Sequence, residues 1–257
     1  MDAPVSASKP RSLGALAGTA GFALASLTGF VALFAGLGTR WGWWDYRTGF
    51  SILTVAVWSG LIAAAISVVA IANALRHGPR RALIFGIHGL IIGALVFGVP
   101  WFVVHEGRKL PPIHDITTDT EDPPAFVAVL PLRKDSPNTV EYGGAELAAQ
   151  QKKGYPDLGP ATLPMPPRAA FELALDVARR SGWEIVAAAA GDNRIEATAT
   201  TDWFGFKDDI VIRIKPKDAG SRVDVRSVSR VGRSDLGTNA RRIREFLRQL
   251  TAGKTNP

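Results

Sequence analysis

A chain of 257 residues, 47% hydrophobic and 21% charged, with a net charge of +7, is long enough for a folded domain plus additional segments. It contains no cysteine, which excludes disulfides, thiolate nucleophiles, iron-sulfur clusters and cysteine-ligated zinc, and suits an oxidising compartment. Only seven of the 30 Lys and Arg and two of the 23 Asp and Glu precede residue 106, so the first hundred residues are membrane-like, and part of the basic excess is a topology signal rather than a nucleic-acid one.

After a short tail (1–11), no charged side chain other than histidine interrupts Ser12 to Thr39, Thr48 to Leu75 or Ala82 to Val104. Each run exceeds the roughly 20 residues a helix needs to cross ~30 Å of hydrocarbon. The pattern predicts three transmembrane helices within 12–105. Lys9 and Arg11 before an apolar run ending in Ala23-Leu24-Ala25 imitate a signal peptide, but the run continues past that point.

Arg76, Arg80 and Arg81 crowd one short connection, which puts it and the N-terminus in the cytoplasm. The other connection, RWGWWDYRTG, carries Trp41, Trp43, Trp44 and Tyr46, suited to a headgroup-level aromatic belt facing outward. The segment after the third helix is then expected to face outward as well.

Small residues recur at four-residue spacing: Gly14 and Gly18; Gly21, Ala25 and Gly29; Ala56, Gly60 and Ala64; Ala82 and Gly86; Gly89 and Gly93. Such stripes let helix backbones approach closely, within one chain or in a homo-oligomer. His88, inside the third span, reads as a proton or ligand site or as a neutral imidazole hydrogen-bonded inside the bundle. The lack of an intramembrane carboxylate favours the second.

Residues 106–165 form an acidic, proline-rich strap of net charge −3 with one helical candidate, Ala145 to Lys153. Phe126, Val127, Val129, Leu130 and Leu132 call for burial, so the strap is expected to wrap over a folded core. Asp115, Asp119, Glu121 and Asp122 crowd one stretch, but the spacing fits no calcium loop, and Asp and Thr there form local turns without a ligand. No metal or cofactor is expected.

The core (166–251, followed by a tail at 252–257) opens with a helix after Pro166-Pro167, its apolar stripe Ala170, Leu173, Ala174, Val177 and Ala178, stopped at Gly182. Strands follow at Trp183 to Ala190 and Arg194 to Thr200 around Gly191-Asp192-Asn193. Another is centred on Ile210, Ile212 and Ile214, and a fourth runs from Ser221 to Val231 after a turn at Pro216 to Gly220. Val223 and Val225 point inward, whereas Val228 falls on the opposite parity, so a bulge is expected near Ser227. A last helix, about Asn239 to Leu250, is capped by Asp235, Thr238 or Asn239. The fold class is therefore three transmembrane α-helices plus a small α+β domain: helix, four-stranded antiparallel sheet, helix, with the strap around it.

No histidine lies in the core, so a Ser-His-Asp triad would have to bring His105 or His114 to Ser227, Ser229 or Ser234, and no nucleophile elbow, phosphate loop or HExxH motif occurs. Asp208 and Asp209 point to opposite strand faces, which defeats shared acid-base work. Arg226, Arg230, Arg233, Arg241 and Arg242 are expected to converge near a helix start. There they hold either an external carboxylate or phosphate, or the strap's own Asp115, Asp119 and Asp122; the strap's acidity favours the internal clamp.

HDITTDTEDPPAF (114–126), YPDLGP (155–160), GWEIV (182–186) and DVRSVSRVGRSDLGTNARRIREF (224–246) together resemble the domain of unknown function 1499 family. The resemblance implies a bacterial or plastid envelope protein without an established reaction. It carries over Asp115, Thr118, Asp119, Asp122, Arg226, Ser227, Ser229, Arg230, Asp235 and Asn239 as a shared binding site or clamp. The resulting expectation is a non-catalytic periplasmic domain that binds a partner protein, an anionic lipid headgroup or another anionic envelope component. Its rivals are an envelope hydrolase and a scaffold subunit held by the glycine stripes. Nucleic acid is not an expected partner.

Overall fold

The computed structural model describes residues 13–77 and 79–252, so the tails with Lys9 and Arg11, and with residues 253–257, lie outside the described residues. Two compact units are present: one holds the apolar helices with the tripeptide 203–205, the other the remaining residues from Val104 onward.

In the first unit, α1 (Leu13–Arg40), α2 (Tyr46–His77) and α3 (Arg80–Gly107) are three helices long and apolar enough to cross a membrane. The glycine faces pack against one another within this chain. A Cβ at Gly18 would stand 2.9 Å from Ala82 O, one at Gly93 2.6 Å from Gly60 O, and one at Gly21 2.6 Å from the Ser67 hydroxyl. Backbones this close require glycine. Gly36 likewise makes room for the Trp203 ring, whose indole N–H donates to Leu33 O at 2.9 Å. Asp45 starts α2 by accepting from the Arg47 and Thr48 amides, an N-cap. His88 departs from expectation: it is exposed on the outside of α3, its Nδ1 2.8 Å from Ile84 O. The i−4 carbonyl supplies the partner, so no interior site is needed.

The second unit is a sheet with a different cover on each face. Its strands are β1 (Asp115–Thr117), β2 (Ala161–Leu163), β3 (Glu184–Ala189), β4 (Arg194–Thr200), β5 (Lys207–Lys217) and β6 (Gly220–Ser229). The order is β1-β6-β5-β4-β3, and β2 shares the outer edge of β6 with β1; every pairing is antiparallel. The four long strands match the expected sheet. Two short strands come from the segment read as irregular, because three residues are too few to show a period.

One face packs on α5 (Pro167–Arg180) and α6 (Thr238–Ala252). Ile195, Ile210, Ile212, Val223, Val225, Ala174, Val177, Ile243 and Phe246 are buried there, and Trp183 stacks on Phe246 with ring centroids 5.2 Å apart. The helix α4 (Gly144–Gly154) brings Gln151 to β1, where its amide oxygen accepts from Thr117 N and its amide nitrogen donates to Thr117 O.

The opposite face carries residues 118–143. Phe126 and Val129 pack on Val211 of β5 and Val228 of β6. That cover explains Val228 without the expected bulge: β5–β6 register runs unbroken from Asp208↔Ser229 to Lys217↔Gly220, and the irregularity lies in β3 between Ile185 and Ala187. Both faces are buried, so apolar residues of either parity are accommodated. The β5–β6 turn is also tighter than expected, Asp218-Ala219 alone, with Pro216 inside β5 opposite Ser221. Pairing with β4 ends at Arg213, so on that side the proline has no ladder bond to lose.

Candidate functional site

Alternation along β4, β5 and β6 sends one set of polar residues beneath the 118–143 segment and another toward α6. The first set forms an ionic layer. Arg226 makes a bidentate pair with Asp115, at 2.9 Å and 2.7 Å. It also donates to Pro124 O and Val140 O, and lies between the Phe126 and Tyr142 rings, 5.3 Å and 5.4 Å from their centroids. The pair is almost fully buried, its side chains 4% and 6% exposed.

Asp119 receives Arg213 at 3.1 Å and Arg222 at 2.7 Å, and both arginines also hold Asp224. Asp122 receives Arg213 and Lys215; the Lys215 hydrogen bond, then the Arg213 charge, lower its pKa. Thr118 hooks onto β6, its N–H donating to Val225 O and its hydroxyl accepting from Val225 N. Thus Asp115 meets Arg226, whereas Asp119 and Asp122 are held by Arg213, Arg222 and Lys215, residues not singled out from the sequence. Their strand parity was the available signal.

Asp209 of β5 lies between Arg133 at 2.6 Å and Arg230 at 2.8 Å and accepts from the Thr198 hydroxyl. Burial alone would raise its pKa, but hydrogen bonds from Arg230, Thr198 and Arg133 outweigh that and leave it lowered. Glu196 of β4 accepts from the Val127 and Val129 amides.

The second set lies between β6 and the start of α6. Asn239 accepts from the Ser227 hydroxyl and from Arg242, and donates to Ser229 Oγ and His114 O. Arg242 also pairs with Asp208 at 2.6 Å. Asp235 caps α6 through the Gly237 and Asn239 amides, and burial raises its pKa despite them.

The five arginines do not converge, as expected from the sequence, on one anion site. Arg226 and Arg230 serve the ionic layer, Arg242 serves Asp208, Arg241 bonds Leu236 O and Thr238, and Arg233 is exposed. Only Arg226 lies in β6; Arg230 and Arg233 are in the connection beyond it and Arg241 and Arg242 are in α6, so different elements aim them at different partners. Among the described residues no hydrogen bond joins the His114 ring to Ser227, Ser229 or Ser234; its Nδ1 is 3.4 Å from Arg233 O. Asp208 and Asp209 face opposite sides, each with its own arginine. No cluster of three metal-ligating side chains occurs among the described residues.

The family model described as protein of unknown function (DUF1499) matches residues 115–250. The chain belongs to the DUF1499 family. The match starts at β1 and ends in α6, so it covers the strap from Asp115 onward, the ionic layer and the sheet. No curated protein matches the sequence closely enough to count as a relative.

The DUF1499 domain also has a shallow groove of about 340 Å³ between the 157–161 loop and α6, lined in part by Leu158, Pro160, Leu247 and Thr251. Arg244 and Arg248 stand at its rim, Arg244 in a bidentate pair with Asp157 and Arg248 paired with Glu245. Both ion pairs are solvent-exposed; the Arg248–Glu245 pair is of the weak surface kind, whereas Arg244 is also held over the Tyr155 ring, 5.5 Å from its centroid.

Proposed function

We propose that this DUF1499 protein is a multi-pass inner-membrane protein that displays its α+β domain on the periplasmic side as a non-catalytic module binding an anionic envelope component, a lipid headgroup or an acidic partner segment. The observation that carries the reading is the state of the charged groups. The arginines beneath the strap are spent on buried internal partners, whereas Arg244 and Arg248 at the α6 groove have solvent-exposed ones. Orientation rests on Arg76, Arg80 and Arg81 in the α2–α3 connection against the tryptophan-rich α1–α2 connection.

Native mass spectrometry of the full chain, gently extracted from its own membrane, tests the binding. The wild type is expected to retain an anionic lipid or a partner that the Arg244→Ala/Arg248→Ala variant loses; equal adducts in both, or none in either, overturn the reading. Orientation is checked by impermeant thiol labelling in intact cells. Ala219→Cys should react and Gly78→Cys should not, and the reverse pattern overturns the topology.

A further inference from the structure

Most apolar side chains of the DUF1499 domain are buried, but Val127, Leu130 and Leu132 are 51%, 45% and 52% exposed on a single 3-10 turn and its approach. The turn is held rigidly in this pose. Glu196 binds the amides of Val127 and Val129, Val129 is fully buried, and Arg133 ties the turn to Asp209, Val228 O and Ser229 O. The three aliphatic groups therefore cannot turn inward without breaking buried polar bonds.

The turn lies at the end of the sheet where the chain arrives from α3. His114 O accepts from Ser229 N, Asp115 stands opposite Val228, and Ile113 O accepts from Asp235 N. Leu132 O accepts from Arg230 and Arg133 reaches Val228 and Ser229, so the arriving chain and the turn meet at the same residues of β6. Residues 108–114 join α3 to β1, a link that spans at most about 25 Å when fully extended. Exposed Lys134, Lys207 and Arg233 lie beside this end, Lys207 O accepting from Arg230 N and Arg233 O facing His114; Asp135 is the exposed acid next to Lys134.

We infer that the turn Val127–Leu132 is an interfacial anchor: its aliphatic side chains enter the headgroup layer of the bilayer crossed by α1–α3, while Lys134, Lys207 and Arg233 face anionic headgroups. Apolar groups flanked by cations are the pattern by which a peripheral surface engages an anionic membrane. The inference rests on the reading of the three helices as membrane-spanning, but not on the α6 groove having a ligand.

The cysteine-free sequence permits single-site labels. Full chains carrying Leu130→Cys, Ala219→Cys at the far β5–β6 turn, or Val55→Cys on α2 are labelled with an environment-sensitive fluorophore and reconstituted in phosphatidylcholine vesicles containing about 30% phosphatidylglycerol. Nitroxide-headgroup lipid should quench the label at 130 several-fold more than that at 219, and high salt should reduce the difference. A label at 130 quenched by aqueous iodide as strongly as that at 219, or shielded from both quenchers, overturns the anchor; shielding from both would place protein there. The label at 55, read with a deep-nitroxide lipid, reports separately whether the helices are in the bilayer.

Discussion

Replacing Arg226 with alanine would leave the Asp115 carboxylate buried without its bidentate partner and two strap carbonyls without donors. Breaking a buried pair in this way costs about 3–5 kcal/mol, so Arg226→Ala should unfold the domain at markedly lower denaturant, as followed by circular dichroism. Tyr142 gives the contrasting case: its ring lies on Arg226 but its buried hydroxyl has no hydrogen-bond partner among the described residues, and burial pushes its pKa up to about 12. Tyr142→Phe should therefore leave the denaturation midpoint unchanged or slightly raised. Acid sensitivity follows from Asp209. Its folded-state pKa is lowered, so its contribution is complete above the unfolded value of about 3.9 and is lost as pH falls through the folded value. Asp235 has the opposite sign: burial raises its pKa, so its contribution is complete below about 3.9 and is lost as pH rises through the folded value. Unfolding free energy measured across acidic pH should show a weaker low-pH dependence in Arg230→Ala, which removes the largest of the hydrogen bonds that lower the Asp209 pKa and leaves those from Thr198 and Arg133.

Along the elements, both parities of β6 are committed: to the helices through Val223, Val225, Ser227 and Ser229, and to the strap through Arg222, Asp224, Arg226 and Val228. The alternation was readable from the sequence, and so were the helices α5 and α6, because long amphipathic periods are averaged over many residues. The pairing of β1 and β2 with β6 was not readable. Three residues such as Asp115–Thr117 carry no period, and their placement depends on distant partners, Gln151 and Val225 among them. A Cβ at Gly220 would collide with Leu163 O across the β2–β6 pairing. Gly220→Ala is accordingly expected to lower the melting temperature and to speed amide exchange at residues 161–163. Glu196→Ala should release the 127–132 turn while the helix-packed face persists, visible as exchange confined to the Val127 and Val129 amides.

For the whole molecule, the small-residue stripes of α1–α3 announced close packing, and the contacts Gly18 to Ala82 and Gly93 to Gly60 occur within one chain. Gly93→Ile should separate α2 from α3 and lower the thermal stability of helical circular dichroism in detergent. Sequence alone determined the membrane-length helices, the absence of thiol chemistry, the α+β order and the family motifs, since these depend on composition, period and local turn residues. Only the tertiary structure decided which acid meets which arginine, that Val228 needs no bulge, that His88 faces outward and that Val127, Leu130 and Leu132 stay exposed. The outcome at His88 depends on how α3 packs; the others depend on residues separated by up to about a hundred positions meeting across a sheet, and ion pairing is set by which side chains share a face, which net charge does not encode.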